Sequence, residues 1–327
     1  MGEQRLALYL FSLVCGTAGA WFCVRFGTIA GFMDTPSHRS SHALPTPRGG
    51  GIGLLAAFVA AALALKIDTG FWLPVAAVSV VGLMDDRKAM APLLRLCLQT
   101  AAASVLVAVG LPLVWGGYHP GSVVLWVVFV IGTTNCYNFM DGINGISGLT
   151  ASALFILCWF FLRTTGGNLS LAALVLSLVF ACAGFLPFNF PRARVFMGDC
   201  GSLLLGFLFG GVVLVSVRSF GDFLLFTAFL FPFYADSFTT MIIRVKNGEN
   251  LFTAHRSHLY QLLTNEAGIS HWKVSLGYLV VQLVTGGVGY FLYITGEGAL
   301  PFFLAFCLLL FVSLSCLVRQ RMAQCRV

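Results

Sequence analysis

The chain has 327 residues, 58 % of them hydrophobic and 9 % charged, with a mean hydropathy of +0.91. These values exclude an ordinary water-soluble domain. The formal net charge of +7 suits a surface beside anionic lipid. With no basic run or stacking motif beside it, it argues against nucleic acid as a partner.

Apolar runs separated by short polar loops predict membrane-spanning helices over 6–24, 50–65, 71–84, 93–110, 122–140, 146–162, 169–188, 201–217, 223–243, 274–292 and 299–318. The expectation is an all-α polytopic integral membrane protein of about 10–11 transmembrane helices, a single transmembrane domain over 1–327. The second and third runs are short, so one or both continue into a loop or end below the surface. The first run lacks the basic start and small-residue cleavage site of a signal peptide and is expected to remain a helix. The ten Cys are scattered, mostly inside apolar runs, and read as small packing residues.

Loops placed alternately on the two sides divide the 19 Lys and Arg unequally. Only Arg5, Lys66, Arg163 and Arg218 fall on one side, so the other side faces the cytoplasm, with the N-terminus outside and the C-terminus inside. The acids follow the same bias. Asp34, Asp85, Asp86, Asp141, Asp199, Glu249 and Glu266 lie on the basic side, with His38, His42, His255, His258 and His271. The outer loops hold little besides Glu3, Asp68, Asp222, Glu297 and His119. A solute carrier would set its ionisable groups near the bilayer midplane.

In chain order, the first inner loop ends in Pro45, Pro47, Arg48 and Gly49 to Gly51. Either the glycines admit a close ligand where free N–H groups and Arg48 make an anion site, or this is a plain turn into a helix. Asp85 and Asp86 close the third run. Two adjacent carboxylates repel unless a cation sits between them, which suggests a metal or phosphoryl site. A solvated cap paired with Arg87 and Lys88 is the equal alternative. Asn135, Asn138 and Asp141 recur every three residues and share a helix face, where a hydrated cation or a nucleotide would satisfy them. Gly142 and Gly145 then break the helix and expose backbone donors; interhelical hydrogen bonding is the plainer explanation. Asp199, between Gly198 and Gly201, is either an N-cap or a metal ligand. His255 and His258 flank Arg256 and form a cationic cluster if charged, or an interfacial loop at anionic headgroups. Asp236 lies within a run and is expected to face the interior, paired with a basic group or backbone donor.

Together these motifs resemble the polyprenyl-phosphate N-acetylhexosamine-1-phosphate transferase family. The likeness runs in order from about residue 33 to 261. It comprises Asp34 with Pro47-Arg48-Gly49-Gly50-Gly51, Asp85-Asp86, Asn135 to Gly145, Met197-Gly198-Asp199 with Gly201-Ser202, and His255-Arg256-Ser257-His258. The resemblance implies transfer of a sugar 1-phosphate from a UDP-N-acetylhexosamine to polyprenyl (undecaprenyl) phosphate, with release of UMP. It implies Mg²⁺, with Mn²⁺ as a substitute, and an active site on the cytoplasmic face of a bacterial inner membrane. By motif, Asp199 and Asn138 are the implied metal ligands, with Asp85. Asp85, Asp86 and Asp199 are the implied catalytic acids, Asp85 orienting the lipid phosphate. Arg48, Asn135, Asp141, Asn144, His255, Arg256 and His258 are implied in substrate binding. Besides the two substrates the implied partner is membrane lipid; homodimer formation is left open. The peptidoglycan-precursor enzymes carry three successive His where this chain has His-Arg-Ser-His. They also carry Asp in place of Asn144, and Asp-Asp-x-x-Lys in place of Asp85-Asp86-Arg87-Lys88. The first loop resembles the O-antigen-initiating branch, which implies an N-acetylhexosamine donor such as GlcNAc or a 6-deoxy sugar (FucNAc or QuiNAc). The alternatives are a secondary transporter of a phosphorylated solute, a peptidoglycan-precursor phospho-MurNAc-pentapeptide transferase and a non-catalytic lipid-binding relative.

Overall fold

The computed structural model describes residues 2–36, 41, 44–115, 120–250, 253 and 255–324. His38, Arg39, His42 and His119 lie outside them. Thirteen α-helices follow one another among the described residues: α1 (Gly2–Ala30), α2 (Ile52–Ala64), α3 (Thr69–Arg87), α4 (Pro92–Trp115), α5 (Pro120–Phe139), α6 (Ile146–Thr164), α7 (Leu169–Asn189), α8 (Gly198–Ser216), α9 (Phe220–Phe229), α10 (Phe231–Lys246), α11 (Leu259–Asn265), α12 (His271–Thr295) and α13 (Leu300–Gln324). The fold is therefore all-α and polytopic. Among the described residues the strands form a single two-residue antiparallel ribbon, β1 (Met33–Asp34) with β2 (Thr46–Pro47), which ties the two ends of the first inner loop.

Every predicted run falls on helix. Eight helices are long and apolar enough to cross a membrane, nine if α9 and α10 count as one span. α2 is a shorter apolar helix, and the aspartates closing α3 lower its average. The ninth predicted span needs correction: it is broken at Leu230, where α9 and α10 bend by 86°. Pro232 in the first turn of α10 explains the break, because proline tolerates a helix start and cannot continue a preceding one. α11 is a further short helix that hydropathy had no means to flag.

α8 is the axis of the bundle, with 83 % of its apolar window buried, against 6 % for α13 at the rim. Lipid tails give helices no hydrophobic reason to associate, so close backbone packing has to hold them. Glycine permits that here. A Cβ on Gly82 of α3 would strike the Asp199 carbonyl of α8, and one on Gly51 would strike the Gly201 backbone. Gly206 and Gly210 of α8 lie against Thr134 and Val130 of α5 in the same way.

Successive spans alternate in direction through the bundle, with α9 and α10 together counting as one. At one end Arg95 of α4 meets Asp85 of α3 and Asp199 of α8, and Gly145 before α6 meets Asn189 of α7. Arg319 near the C-terminus of α13 reaches Ser257 at that same end. At the other end Thr164 of α6 bonds Tyr290 and Asp222 of α9 bonds Tyr293, both on α12. The acids that the sequence placed on one side do gather at the first of these ends.

Candidate active site

A cavity of about 260 Å³ opens at that end. Its walls include Asp34, Arg48, Asn138, Asp141, Asp199 and His255, with Asp86, Asn189 and Gln261. Six separate loops or helix ends supply these groups.

The helix cap that the sequence offered to Asp199 is made by Asp86 instead. The N-cap of α8 is Met197, which has no side-chain cap; Asp199 is in the first turn. The cap comes from another helix. The Asp86 carboxylate, 2 % exposed, accepts from the backbone N–H of Asp199 and Cys200, each at 3.0 Å. It satisfies donors that a helix start leaves free. Gly198 makes room: its φ is +75°, and a Cβ there would press into the Asp86 carboxylate. Asp86 thus positions Asp199.

Asp85, one residue earlier, points elsewhere. Its Oδ1 accepts from the Met90 backbone N–H at 2.6 Å and its Oδ2 from Arg95 Nη1 at 3.0 Å. The same Nη1 donates to Asp199 Oδ2 at 2.9 Å. The closely paired acids are therefore Asp85 and Asp199, and the cation between them is Arg95. Arg87 and Lys88 are exposed. Asn138 Nδ2 donates to Asp199 Oδ1 at 2.9 Å and to Ser202 Oγ at 2.8 Å. Among the described residues no three His, Cys, Asp or Glu converge as a metal cluster. One or two carboxylates and an amide oxygen still suit Mg²⁺, which keeps waters and takes phosphate oxygens for its other ligands.

The glycine reading of the first loop is corrected. Gly50 N–H donates to Phe196 O and Gly51 N–H to Met197 O, both at 2.9 Å, so these donors are engaged inside the protein. The neighbours that require small residues are Phe185 and the α8 backbone, not a ligand. Arg48 remains at the cavity, its Nε donating to Asp86 O at 2.8 Å.

The 135–141 face divides among three partners. Asn135 lies outside the cavity and donates to Gln99 Oε1 of α4 at 2.7 Å, the interhelical hydrogen bond that was the plainer alternative. Asn138 supports Asp199. Asp141 follows the end of α5 and lines the cavity; burial pushes its carboxyl up to about 7. The exposed-donor reading of Gly145 is corrected, while Gly142 is exposed and lines the cavity. Tyr260 OH packs on Gly142 and donates to Phe139 O at 3.0 Å, and Gly145 N–H donates to Asn189 Oδ1 at 2.7 Å. Asn144 is outside the cavity lining, its Nδ2 donating to Pro191 O at 3.3 Å.

The His-Arg-His cluster does not act as one group. Only His255 lines the cavity. Burial lowers its pKa to about 4, helped by His258 and Arg244, so the ring is neutral at pH 7. Its Nδ1 lies 2.9 Å from Ser257 Oγ. Arg256 turns outward to Glu266 at 3.6 Å. His258 is buried, its Nδ1 3.5 Å from Asp236 Oδ1. Asp236 does face the interior: it accepts from Leu259 N–H at 2.8 Å, Tyr260 N–H at 3.2 Å and Tyr278 OH at 2.7 Å. It holds the start of α11 as Asp86 holds the start of α8.

Sequence reasoning missed Arg95, Gln99, Asn189 and Gln261. Arg95 and Gln99 sat inside a predicted apolar span, where an ionisable or amide side chain demands a partner; that was the available signal.

Acids from α3 and α8 meet at one cavity, at the end of a polytopic bundle of apolar helices, and the comparisons identify its kind. Residues 69–217 match glycosyl transferase family 4. The chain is 32 % identical over 300 residues to decaprenyl-phosphate N-acetylglucosaminephosphotransferase of Mycobacterium leprae, covering 77 % of this chain and 75 % of the relative. It is 28 % identical over 273 residues to the probable undecaprenyl-phosphate N-acetylglucosaminyl 1-phosphate transferase of Bacillus subtilis, covering 78 % and 74 %. It is 32 % identical over 175 residues to phospho-N-acetylmuramoyl-pentapeptide-transferase of Staphylococcus carnosus, covering 51 % of each. The chain belongs to the polyprenyl-phosphate N-acetylhexosamine-1-phosphate transferase family, as a multi-pass membrane glycosyltransferase.

Proposed function

We propose that this protein transfers an N-acetylhexosamine 1-phosphate from a UDP-sugar to a polyprenyl phosphate, undecaprenyl phosphate in the first instance, and releases UMP. The observation that carries this is the convergence of Asp85, Asp199, Asn138 and Arg48 at one end of a membrane bundle. Two phosphates can react only where their charge is offset and their oxygens aligned. An oxygen of the lipid phosphate attacks the sugar-bearing phosphorus, the bond to the UMP oxygen breaks, and UMP leaves with the electron pair. A phosphate monoester has largely lost its protons at pH 7, so Asp85 is asked to align rather than to deprotonate. Asp199 and Asn138, with Asp85, are the residues that would hold Mg²⁺. When bound it would supply charge relief at the phosphate oxygens. Asp86 and Ser202 keep Asp199 and Asn138 in place, while Arg48 and neutral His255 offer donors to the nucleotide phosphates and sugar.

The donor to test first is UDP-N-acetylglucosamine, because that sugar is in the names of the M. leprae and B. subtilis relatives. The form of the first loop supports assignment to lipid-linked O-antigen synthesis, and 6-deoxy donors belong in the same panel. The Lys and Arg bias supports an active site facing the cytoplasm at the inner membrane. Purified protein in detergent, with Mg²⁺ and undecaprenyl phosphate, is expected to release UMP with at least one donor. No release with any donor would reject the reaction. Labelling of cysteines placed at 34 and 142 from the outer side of intact cells would reject the orientation.

A further inference from the structure

Arg95 is the cation between the two acids that the proposed reaction would use. One nitrogen, Nη1, reaches Asp85 Oδ2 at 3.0 Å and Asp199 Oδ2 at 2.9 Å. The three side chains come from α4, α3 and α8, so the contact is not a by-product of local sequence. It sits where α3 presses Gly82 against the Asp199 carbonyl, which brings the two carboxylates close whatever else is present. At such separations like charges repel strongly in a partly buried setting, and only a cation or a proton relieves them.

We infer that Arg95 is a tethered counter-ion, a positioning residue that holds Asp85 and Asp199 together before metal arrives and competes with the metal for Asp199. The inference rests on the proposed metal reading. A divalent ion approaching Asp199 meets a carboxylate already neutralised, so Arg95 weakens metal binding and stabilises the metal-free protein. The two effects share one cause and should move together.

The test is direct Mn²⁺ binding to full-length protein in detergent, without substrates, followed by electron paramagnetic resonance. Arg95→Gln should bind Mn²⁺ about threefold or more tighter than wild type. Its melting temperature should fall in EDTA and recover in Mn²⁺. Arg95→Lys, which keeps the charge, should lie near wild type in both. Should Arg95→Gln not fold, the wild type supplies the measurement: Mn²⁺ should raise the rate at which phenylglyoxal modifies Arg95, read by peptide mass spectrometry. Unchanged or weaker Mn²⁺ binding by a folded Arg95→Gln overturns the inference, as does a modification rate that Mn²⁺ leaves alone or lowers. In those cases the metal reading survives, because wild type still binds Mn²⁺. Failure of the wild type to bind Mn²⁺ at all would overturn both.

Discussion

Asp85 and Asp86 are adjacent in the chain, and their side chains part at the end of α3. Asp86 is buried against two backbone N–H groups, whereas Asp85 faces Arg95. Their asparagine variants should differ accordingly. Asp86→Asn turns an amide donor toward backbone donors and is expected to lose about 1–3 kcal/mol of stability, visible as a lower melting temperature in detergent. Asp85→Asn should leave melting nearly unchanged and reduce turnover sharply. The pH response belongs at this scale too. Asp141 is raised to about 7, so the folded protein holds a proton there that the unfolded chain has released. The resulting contribution is present at low pH and is lost as pH rises toward 7. His255 is lowered to about 4, so the unfolded chain binds the extra proton, and its contribution is lost as pH falls from 6.5 to 4. The two trends oppose each other. In metal-free buffer Asp141→Asn should make melting temperature fall less steeply, or rise more steeply, with pH over that window than in wild type, and His255→Gln should shift the slope the opposite way. Slopes unchanged from wild type would reject the assignment. That Asp86 and Asp199 matter was legible in the sequence. Which of them caps α8 was not, because the cap comes from another helix more than 100 residues away in the chain.

Helix packing controls the site through the glycines. Gly82→Ala would place a methyl group against the Asp199 carbonyl and push α3 off α8. Overpacking of this kind costs about 1–3 kcal/mol, and here it would also separate Asp85 from Asp199. The expected result is a lower melting temperature together with loss of turnover. Gly121→Ala, where a Cβ has open space, should do neither. The 3.6-residue period and apolar runs gave away every long helix. They could not give the break at Leu230, since the run stays apolar across it and only Pro232 marks the place. They also concealed Arg95, because one charge in an apolar run shows neither its direction nor its partner.

The whole bundle bears on the site through its rim. α13 is largely exposed along its apolar length, as lipid contact requires, yet its last turns reach back: Arg319 Nη2 donates to Ser257 O at 2.7 Å and Thr240 Oγ1 at 3.2 Å. Ser257 in turn contacts His255. Arg319→Ala is therefore expected to raise the donor KM about three- to tenfold with a smaller change in kcat, and to speed proteolysis in the loop between α10 and α11. An unchanged KM would show that α13 serves lipid packing alone.

Hydropathy and charge bias suffice for the membrane class, the helix positions and the gathering of acids on one side, because lipid solvation acts on each segment separately. The family is likewise legible, since its motifs are contiguous. The pairing of Asp85 with Asp199 through Arg95, the cap from Asp86 and the removal of Asn135, Arg256 and His258 from the cavity depend on how far apart the helices stand and how each is rotated. Those quantities are set by contacts between distant segments, which no local stretch of the chain encodes.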